Sequence, residues 1–176
     1  MVNNLRVCLE NGSYIFYPGQ IINGFIEIKI ENPIKKTVRG LTLLIEGKCL
    51  VQWMDPGCLN SHTSLSSSLH NDSRTYRGEE IFINYTKHMF GNKIEDQPTF
   101  SEPSEYKFPF TYQLPLNLPY SIEADLAYIR YSIKAKLEIA WGSDIKHEIQ
   151  FRVIRYDDLN YYPELKESIE IDKVRK

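Results

Sequence analysis

The stretch of sequence that decides the fold reads Tyr17-Pro18-Gly19-Gln20-Ile21-Ile22-Asn23-Gly24 and continues as Phe25-Ile26-Glu27-Ile28-Lys29-Ile30. Pro18-Gly19 is a dipeptide typical of a reverse turn, because proline presets φ at the first central position and glycine tolerates a positive φ at the second. Apolar and polar side chains then alternate, which is the period of a strand with one buried face. We therefore predict a turn followed by a strand, in the manner of a β-hairpin.

The same alternation recurs along the chain, whereas helical spacing is scarce. It is nearly faultless over Tyr128–Trp141, and it resumes over Ile145–Arg155 after a turn, so that these two segments predict a long hairpin. In Tyr106–Leu114 the alternation includes Pro109, which cannot donate to a sheet ladder and therefore predicts an edge strand or a bulge. Further strands are predicted at Leu5–Leu9, Tyr14–Tyr17, Gly40–Trp53 and Ile81–Tyr85. The pattern predicts an all-β fold in which antiparallel strands pack as a β-sandwich.

Two segments without periodicity are predicted to be loops. Asp55–Arg77 is polar and rich in serine, and Phe90–Ser104 contains a glycine and two prolines. A chain of 176 residues is long enough to bury a core without a metal or a disulfide. We predict one domain over residues 1–156, followed by a linker or tail over residues 157–176.

Charge and cysteine content restrict the function classes. The net charge of −2 disfavours a domain built to attract a polyanion, so we predict no nucleic-acid partner. Three cysteines without paired spacing fit a reducing compartment. The first residues lack the apolar run of a signal peptide, and no stretch is apolar for long enough to span a bilayer. We expect a cytoplasmic protein that meets membranes only indirectly, through a partner, at the plasma membrane or endosomes.

Patterns that indicate catalysis are missing from the sequence. The four histidines do not share a metal-ligand spacing with cysteines or acidic residues, and His147 falls on the apolar face of its strand. There is no glycine-rich phosphate loop and no nucleophile elbow. We therefore predict no catalytic residue, no cofactor and no metal.

Two groups of basic residues are candidates for partner binding. Lys35, Lys36 and Arg39 follow Pro33 in a predicted turn, and Arg130, Lys134 and Lys136 share the polar face of one predicted strand. Lysine and arginine bind carboxylate and phosphate oxygens strongly, so either group could receive an acidic or phosphorylated segment of a partner. For the first group, a solvated hairpin end is the favoured interpretation. For the second group, the sequence does not separate partner binding from an ordinary charged sheet face.

Five motifs, in order along the chain, resemble the N-terminal domain of the arrestin-domain-containing proteins, or alpha-arrestins. They are Tyr17-Pro18-Gly19-Gln20 with Gly24; Pro33-Ile34-Lys35-Lys36 with Arg39-Gly40-Leu41-Thr42-Leu43, Glu46-Gly47 and Trp53; Phe108-Pro109-Phe110 with Leu114-Pro115 and Leu118-Pro119-Tyr120-Ser121; Tyr128 to Ala135; and Asp158-Leu159-Asn160 with Pro163. Each motif is weak alone, and their shared order covers nearly the whole chain.

The resemblance implies the arrestin N-domain fold, an all-β, immunoglobulin-like β-sandwich of two antiparallel sheets. It also implies a non-enzymatic adaptor or scaffold. Such an adaptor binds membrane-protein cargo and links it to HECT-type ubiquitin ligases for endocytosis and protein sorting. In the family the ligase is recruited by Pro-Pro-x-Tyr motifs of a C-terminal tail, and this sequence contains none. We therefore expect the chain to be an N-domain fragment, with ligase contact made outside it. Arg155 matches the position of an arginine that forms an interdomain charge contact in arrestins outside the alpha group.

Two other function classes stay open at this point. A retromer-like trafficking subunit shares the sandwich and would form a stable complex with a large coat partner. A ligand-binding or enzymatic sandwich would need a deep pocket lined by exposed tyrosine and tryptophan side chains.

Overall fold

The computed structural model describes residues 4–30, 38–55, 74–91, 104–140 and 142–155. Within these ranges every regular element is a β-strand, and no helix is long and apolar enough to cross a membrane. The strands are β1 (Asn4–Leu9), β2 (Ile15–Phe16), β3 (Ile21–Ile30), β4 (Val38–Asp55), β5 (Arg74–Phe90), β6 (Ser104–Gln113), β7 (Ile122–Glu123), β8 (Ala127–Ile139) and β9 (Ile145–Val153).

The strands form two sheets, which confirms the predicted all-β sandwich. The smaller sheet has the order β1-β3-β6, and the larger sheet has the order β2-β9-β8-β4-β5, with β7 also paired to β8. All pairings are antiparallel except the two-residue pairing of β2 with β9, which is parallel. Strands β7 and β9 share one side of β8: β7 pairs with residues 128–129, and β9 pairs with residues 131–137.

The turn at Pro18-Gly19 forms as predicted, but it does not make a hairpin. The Gln20 amide donates to the Tyr17 carbonyl at 3.1 Å, and Gly19 has a φ of 80°. The strands on either side belong to different sheets, because β2 pairs with β9 and β3 pairs with β1 and β6. A turn with proline first and a positive-φ glycine second is of type II, which splays its flanking strands. The prediction of a hairpin here is therefore wrong, and the turn carries the chain from one sheet to the other.

The predicted long hairpin and the predicted edge strand are both confirmed. Strands β8 and β9 pair in register from Tyr131 opposite Phe151 to Leu137 opposite Ile145. Strand β6 is at the edge of the smaller sheet, and its Pro109 lies opposite Phe25 of β3. Only one side of an edge strand needs donors for a ladder, so a proline is tolerated there.

The core lies between the two sheets and takes the inward-facing residue of each alternating pair. Tyr131 of β8 is at its centre with no exposed surface, and its hydroxyl donates to the Pro119 carbonyl at 2.6 Å. Its ring lies 5.6 Å from that of Phe151, which in turn contacts Phe16 edge-on. The other fully buried large side chains are Ile22, Ile26, Ile28, Leu41, Leu43, Ile45, Leu114, Ile133, Leu137 and Val153.

A direct hydrogen bond joins the two sheets beside the core. The Val7 amide of β1 donates to Nδ1 of His147 on β9 at 3.1 Å. This contact requires the tautomer with the proton on Nε2. It gives His147 a structural role, in agreement with its place on the apolar face of its strand.

The hairpin of β4 and β5 extends beyond the sandwich. Residues 50–55 pair with residues 74–79, so strand structure continues well past the predicted segment Ile81–Tyr85 and into the predicted loop Asp55–Arg77. Residues 52–55 and 74–80 are exposed in the described structure, and Trp53, which stacks on Tyr76 at 5.2 Å, is 45% exposed. The extension carries no core periodicity because it buries no face, and this explains why the alternation pattern missed it.

Candidate partner-binding surface

The outer face of the larger sheet is the candidate site, because it carries three of the predicted binding residues. Arg130, Lys134 and Lys136 all project from β8 on this face, while the alternate residues of β8 enter the core. Residues two apart in a strand are about 6.8 Å apart along its axis, so the three side chains form a line across roughly 20 Å. The neighbouring lines are supplied by β4 on one side and by β9 and β7 on the other.

Lys134 is held between carboxylates of both neighbouring strands. Its Nζ donates to Glu46 of β4 at 2.6 Å and lies 3.7 Å from Glu148 of β9. The hydrogen bond from Lys134 lowers the pKa of Glu46 below its ordinary value, and the same bond raises the pKa of Lys134. Ser132, next along the face, is 7% exposed.

Lys136 is held at the hairpin turn. It donates to Glu138 at 2.8 Å and lies 3.3 Å from Asp144, whose carboxylate also accepts the Ile139 amide at 3.3 Å. The bond to the backbone is the largest cause of the lowered pKa of Asp144, with Lys136 adding to it. These contacts connect the end of β8 to Asp144, which immediately precedes β9.

Arg130 makes the best-formed ion pair on the face. Its Nε and one terminal nitrogen each donate to one oxygen of Glu123 at 2.7 Å, a two-point contact that fixes the guanidinium plane. The guanidinium carbon lies 4.0 Å from the centre of the Tyr128 ring. Glu123 belongs to β7, which pairs with β8 beside it.

The predicted basic line therefore exists on one face, but each of its cations is matched by a carboxylate. Four of these carboxylates, Glu46, Glu123, Glu138 and Glu148, come from four different strands, and the fifth, Asp144, immediately precedes β9. The sequence of β8 alone contains only one of them, Glu138. The face offers alternating charges to a partner in place of a uniformly positive stripe.

The remaining predicted binding residues do not join this line in the described part of the chain. Arg39 is exposed and is the second residue of β4, so the prediction that it lies in a turn is wrong. Lys35 and Lys36 lie outside the described residues. Arg155 lines a separate groove of about 780 Å³, together with Glu80, Leu116 and Tyr17. Leu116 is 83% exposed there.

An apolar side chain interrupts the polar face. Leu44 points outward between Thr42 and Glu46, and it forms part of the floor of a groove of about 300 Å³ flanked by Lys134 and Lys136. The groove explains a residue that breaks the otherwise regular alternation of β4.

The two cations that lie on either side of Arg130 on this face were not named in the sequence analysis. Lys48 of β4 lies opposite Arg130, and Arg152 of β9 follows the last paired position of the β8–β9 hairpin on the other side of Arg130. Extending the predicted hairpin register beyond Tyr131 and Phe151 would have placed Arg152 beside Arg130. The pattern of a single strand could not do so.

The titration of Glu46 gives a testable pH dependence. Its folded-state pKa is lowered from 4.5, so the pair with Lys134 stabilises the fold above that pH, and the contribution is lost as the pH falls through the lower folded value. We expect Glu46→Gln to be less stable than the parent chain near neutral pH and to lose less stability on acidification below about pH 4.5. Urea unfolding between pH 3 and 7 measures this.

A matched control is Glu10→Gln, because Glu10 is exposed and makes no ion pair with any residue that the structure describes. Parallel pH profiles of the Glu46 variant and the parent chain would contradict the assignment.

Within the described ranges, no three histidine, cysteine, aspartate or glutamate side chains come together as a metal site. Burial is the largest cause of the raised pKa of the Cys8 thiol, which disfavours the nucleophilic thiolate there. Cys58, His62 and His70 lie outside the described residues. The described outer face therefore consists of paired charges and open grooves.

Comparison with known proteins identifies the family. The family model described as the N-terminal domain of arrestin (or S-antigen) matches residues 5–160. Arrestin domain-containing protein 17 of Caenorhabditis elegans is 28% identical over 167 residues, which is 94% of this chain and 37% of that protein. An arrestin domain-containing protein of Schizosaccharomyces pombe is 27% identical over 137 residues, which is 76% of this chain and 21% of that protein.

Among solved structures, the sporulation control protein Spo0M of Bacillus subtilis has a similar fold. Its TM-score is 0.56 at 18% sequence identity, over 87% of this chain and half of that protein. At this identity the likeness concerns the fold alone. This chain spans about a third or less of the curated relatives it matches. Because the family model covers nearly all of its residues, the chain belongs to the arrestin family, as an arrestin N-terminal domain.

Proposed function

We propose that this chain is the cargo-binding part of a non-enzymatic adaptor that links membrane proteins to ubiquitin ligases for endocytosis and sorting. The observation that carries the proposal is the arrestin N-domain match over residues 5–160. Arrestin-domain proteins are generally adaptors and not enzymes, and the grooves on the described surface are open and shallow, which suits binding of protein segments. The adaptor would act in the cytoplasm, at the plasma membrane or endosomes.

Two contacts follow from this proposal. Cargo segments would bind the exposed sheet faces and edges, with Lys35, Lys36, Arg39, Arg130, Lys134 and Lys136 as candidate contacts. A HECT-type ligase would bind outside this chain, through Pro-Pro-x-Tyr motifs that its 176 residues do not contain. Arg155, at the end of the described chain and beside the 780 Å³ groove, would meet a further domain.

Cargo capture can be tested by joining residues 1–176 to the catalytic domain of a HECT ligase. In cells, we expect this fusion to raise the ubiquitin content and the internalisation rate of a defined set of integral membrane proteins. Surface biotinylation and ubiquitin-remnant mass spectrometry measure both quantities. The control is the catalytic domain alone.

Identical ubiquitylation by the fusion and by the free catalytic domain would count against the proposal. A stable equimolar complex of residues 1–176 with one large coat subunit, seen by gel filtration, would favour a retromer-like subunit instead. Saturable binding of a small molecule in a deep pocket would favour the ligand-binding alternative.

A further inference from the structure

Three cations lie side by side across three neighbouring strands of the larger sheet. Lys48 of β4 is paired with Arg130 of β8, and Arg152 occupies the next position of β9 after the pair Tyr131 and Phe151. Like charges directly opposite one another destabilise a sheet. A row of this kind therefore calls for anions to balance it, and the described chain supplies only part of them.

Among the described residues, the carboxylates near this row form ion pairs with Arg130 and Lys48 and none with Arg152. Both carboxylate oxygens of Glu123 accept hydrogen bonds from Arg130. The contacts of Lys48 are longer and weaker, at 3.8 Å from Glu46 and 3.9 Å from Glu79. Arg152 makes no ion pair with a carboxylate in the described ranges, although its charge contributes to the lowered pKa of Glu123. Among the described residues, the Arg152 guanidinium therefore makes no ion pair, whereas the neighbouring Arg130 guanidinium is paired with Glu123.

A cavity opens at this position. It has a volume of about 500 Å³, and Arg130, Arg152 and Glu123 line it together with the amide side chain of Gln150. Its apolar wall is formed by Tyr14 and Ile15, at the edge of the larger sheet, which are 48% and 49% exposed. We name this cavity the arginine pocket.

The chemistry of the arginine pocket fits one kind of occupant. Guanidinium groups pair with carboxylates at two points, and Glu123 already shows this geometry on Arg130. The apolar wall beside the cations suits an aliphatic side chain adjacent to the acidic one. On the surrounding face Lys48 and Lys134 are paired with Glu46, Glu79 and Glu148, so a flat anionic bilayer would meet no extended basic surface there.

We infer that the arginine pocket binds an acidic, extended segment of a partner protein, with a carboxylate on Arg152 and an aliphatic side chain against Tyr14 and Ile15. Glu123 acts as an internal competitor, because it occupies the guanidinium of Arg130 that the segment would also use. The inference rests on the proposed adaptor function and names the chemistry of the partner. It adds Arg152 and Glu123 to the residues that sequence analysis had singled out.

The test measures binding of a fluorescent eight-residue peptide of alternating glutamate and leucine to residues 1–176 by fluorescence anisotropy at low salt. We expect saturable binding that weakens as salt rises. Arg152→Gln should weaken it about tenfold, as expected for loss of a charge-assisted contact. Glu123→Gln should tighten it about threefold or more, because it frees the Arg130 guanidinium.

Lys146→Gln is the matched control. It removes one positive charge from the same strand, β9, several residues from the pocket, and should leave the affinity within about twofold if general charge attraction is not responsible. Thermal unfolding of each variant separates loss of binding from loss of fold. A peptide with glutamine in place of glutamate should not bind.

Equal weakening by Arg152→Gln and Lys146→Gln, or no effect of Glu123→Gln, would overturn the inference. Arg152-dependent binding to phosphatidylserine vesicles without binding to the peptide would also overturn it, in favour of a membrane contact. If the peptide does not bind but the ligase fusion still modifies membrane proteins, only the pocket assignment is wrong and the adaptor function stands.

Discussion

Gly47→Ala is expected to destabilise the domain by about 3 kcal/mol or more, the upper part of the range for an overpacked core. Gly47 lies in the middle of β4, and a Cβ placed on it would be 2.5 Å from both Cδ1 and Cε1 of Tyr131. The Tyr131 ring cannot move aside, because it is fully buried and its hydroxyl is bonded to the Pro119 carbonyl. The added methyl group must displace either the ring or the strand.

Chemical and thermal unfolding of the purified chain measure this effect. For a domain of this size, about 3 kcal/mol corresponds to a fall in Tm of roughly 6–12 °C. The matched control is Gly78→Ala on the partner strand β5, where a Cβ meets nothing within 4 Å. Alanine there should be neutral or slightly stabilising, since it restricts the unfolded chain. Similar unfolding midpoints for the two variants would show that Tyr131 does not pack on Gly47.

Gly91→Ala is expected to have an effect of similar size for a different reason. Gly91 follows β5 with a φ of 97°, where an L side chain is strained, and a Cβ would lie 2.2 Å from the Arg39 carbonyl oxygen and 2.5 Å from the Gly40 Cα. These neighbours belong to the backbone of β4, so rotation of a side chain cannot relieve the contact. Strain and overlap together should cost about 3 kcal/mol or more.

Gly12→Ala separates the two contributions. Gly12 also has a positive φ, of 59°, but nothing lies within 4 Å of a Cβ built there. It should therefore show the conformational cost alone, roughly 1 kcal/mol. Unfolding in urea measures both variants. A Gly91 variant no less stable than the Gly12 variant would mean that the start of β4 does not approach the end of β5 as closely as described.

Much of the fold could be predicted because it depends on local alternation. Tyr128–Trp141 and Ile145–Arg155 have one apolar face each, and their pairing as β8 and β9 follows from a short turn between them. Pro109 predicted an edge position or a bulge for β6, because proline has no amide hydrogen to donate and is therefore tolerated only at a few positions of a sheet. These inferences need nothing from distant parts of the chain.

The partner of each strand was harder to predict, since that choice depends on the whole molecule. Pro18-Gly19 gave a correct turn, yet the chain continues into the other sheet, where β3 finds β1 and β6. The outer part of β5 had no buried face to reveal it and is held as a strand only by β4. Alternation records burial on one face, and it carries no information about which strand lies beside which.

The same limit applies to the candidate site. The positions of Arg130, Lys134 and Lys136 on one face followed from their spacing of two and four residues. Their carboxylate partners come from β4, β7 and β9 as well as from β8, so the near-neutral character of the face required the three-dimensional arrangement. The position of Arg152 beside Arg130 follows only from the register between β8 and β9.

The parallel pairing of β2 with β9 has a consequence for biosynthesis. Ile15 and Phe16 precede their partners Arg152 and Val153 by 137 residues in the chain. A nascent chain therefore cannot complete the larger sheet until residue 153 has left the ribosome, and the early strands must wait with apolar side chains exposed. During that interval the exposed apolar side chains and unpaired strand edges of the unfinished domain favour aggregation.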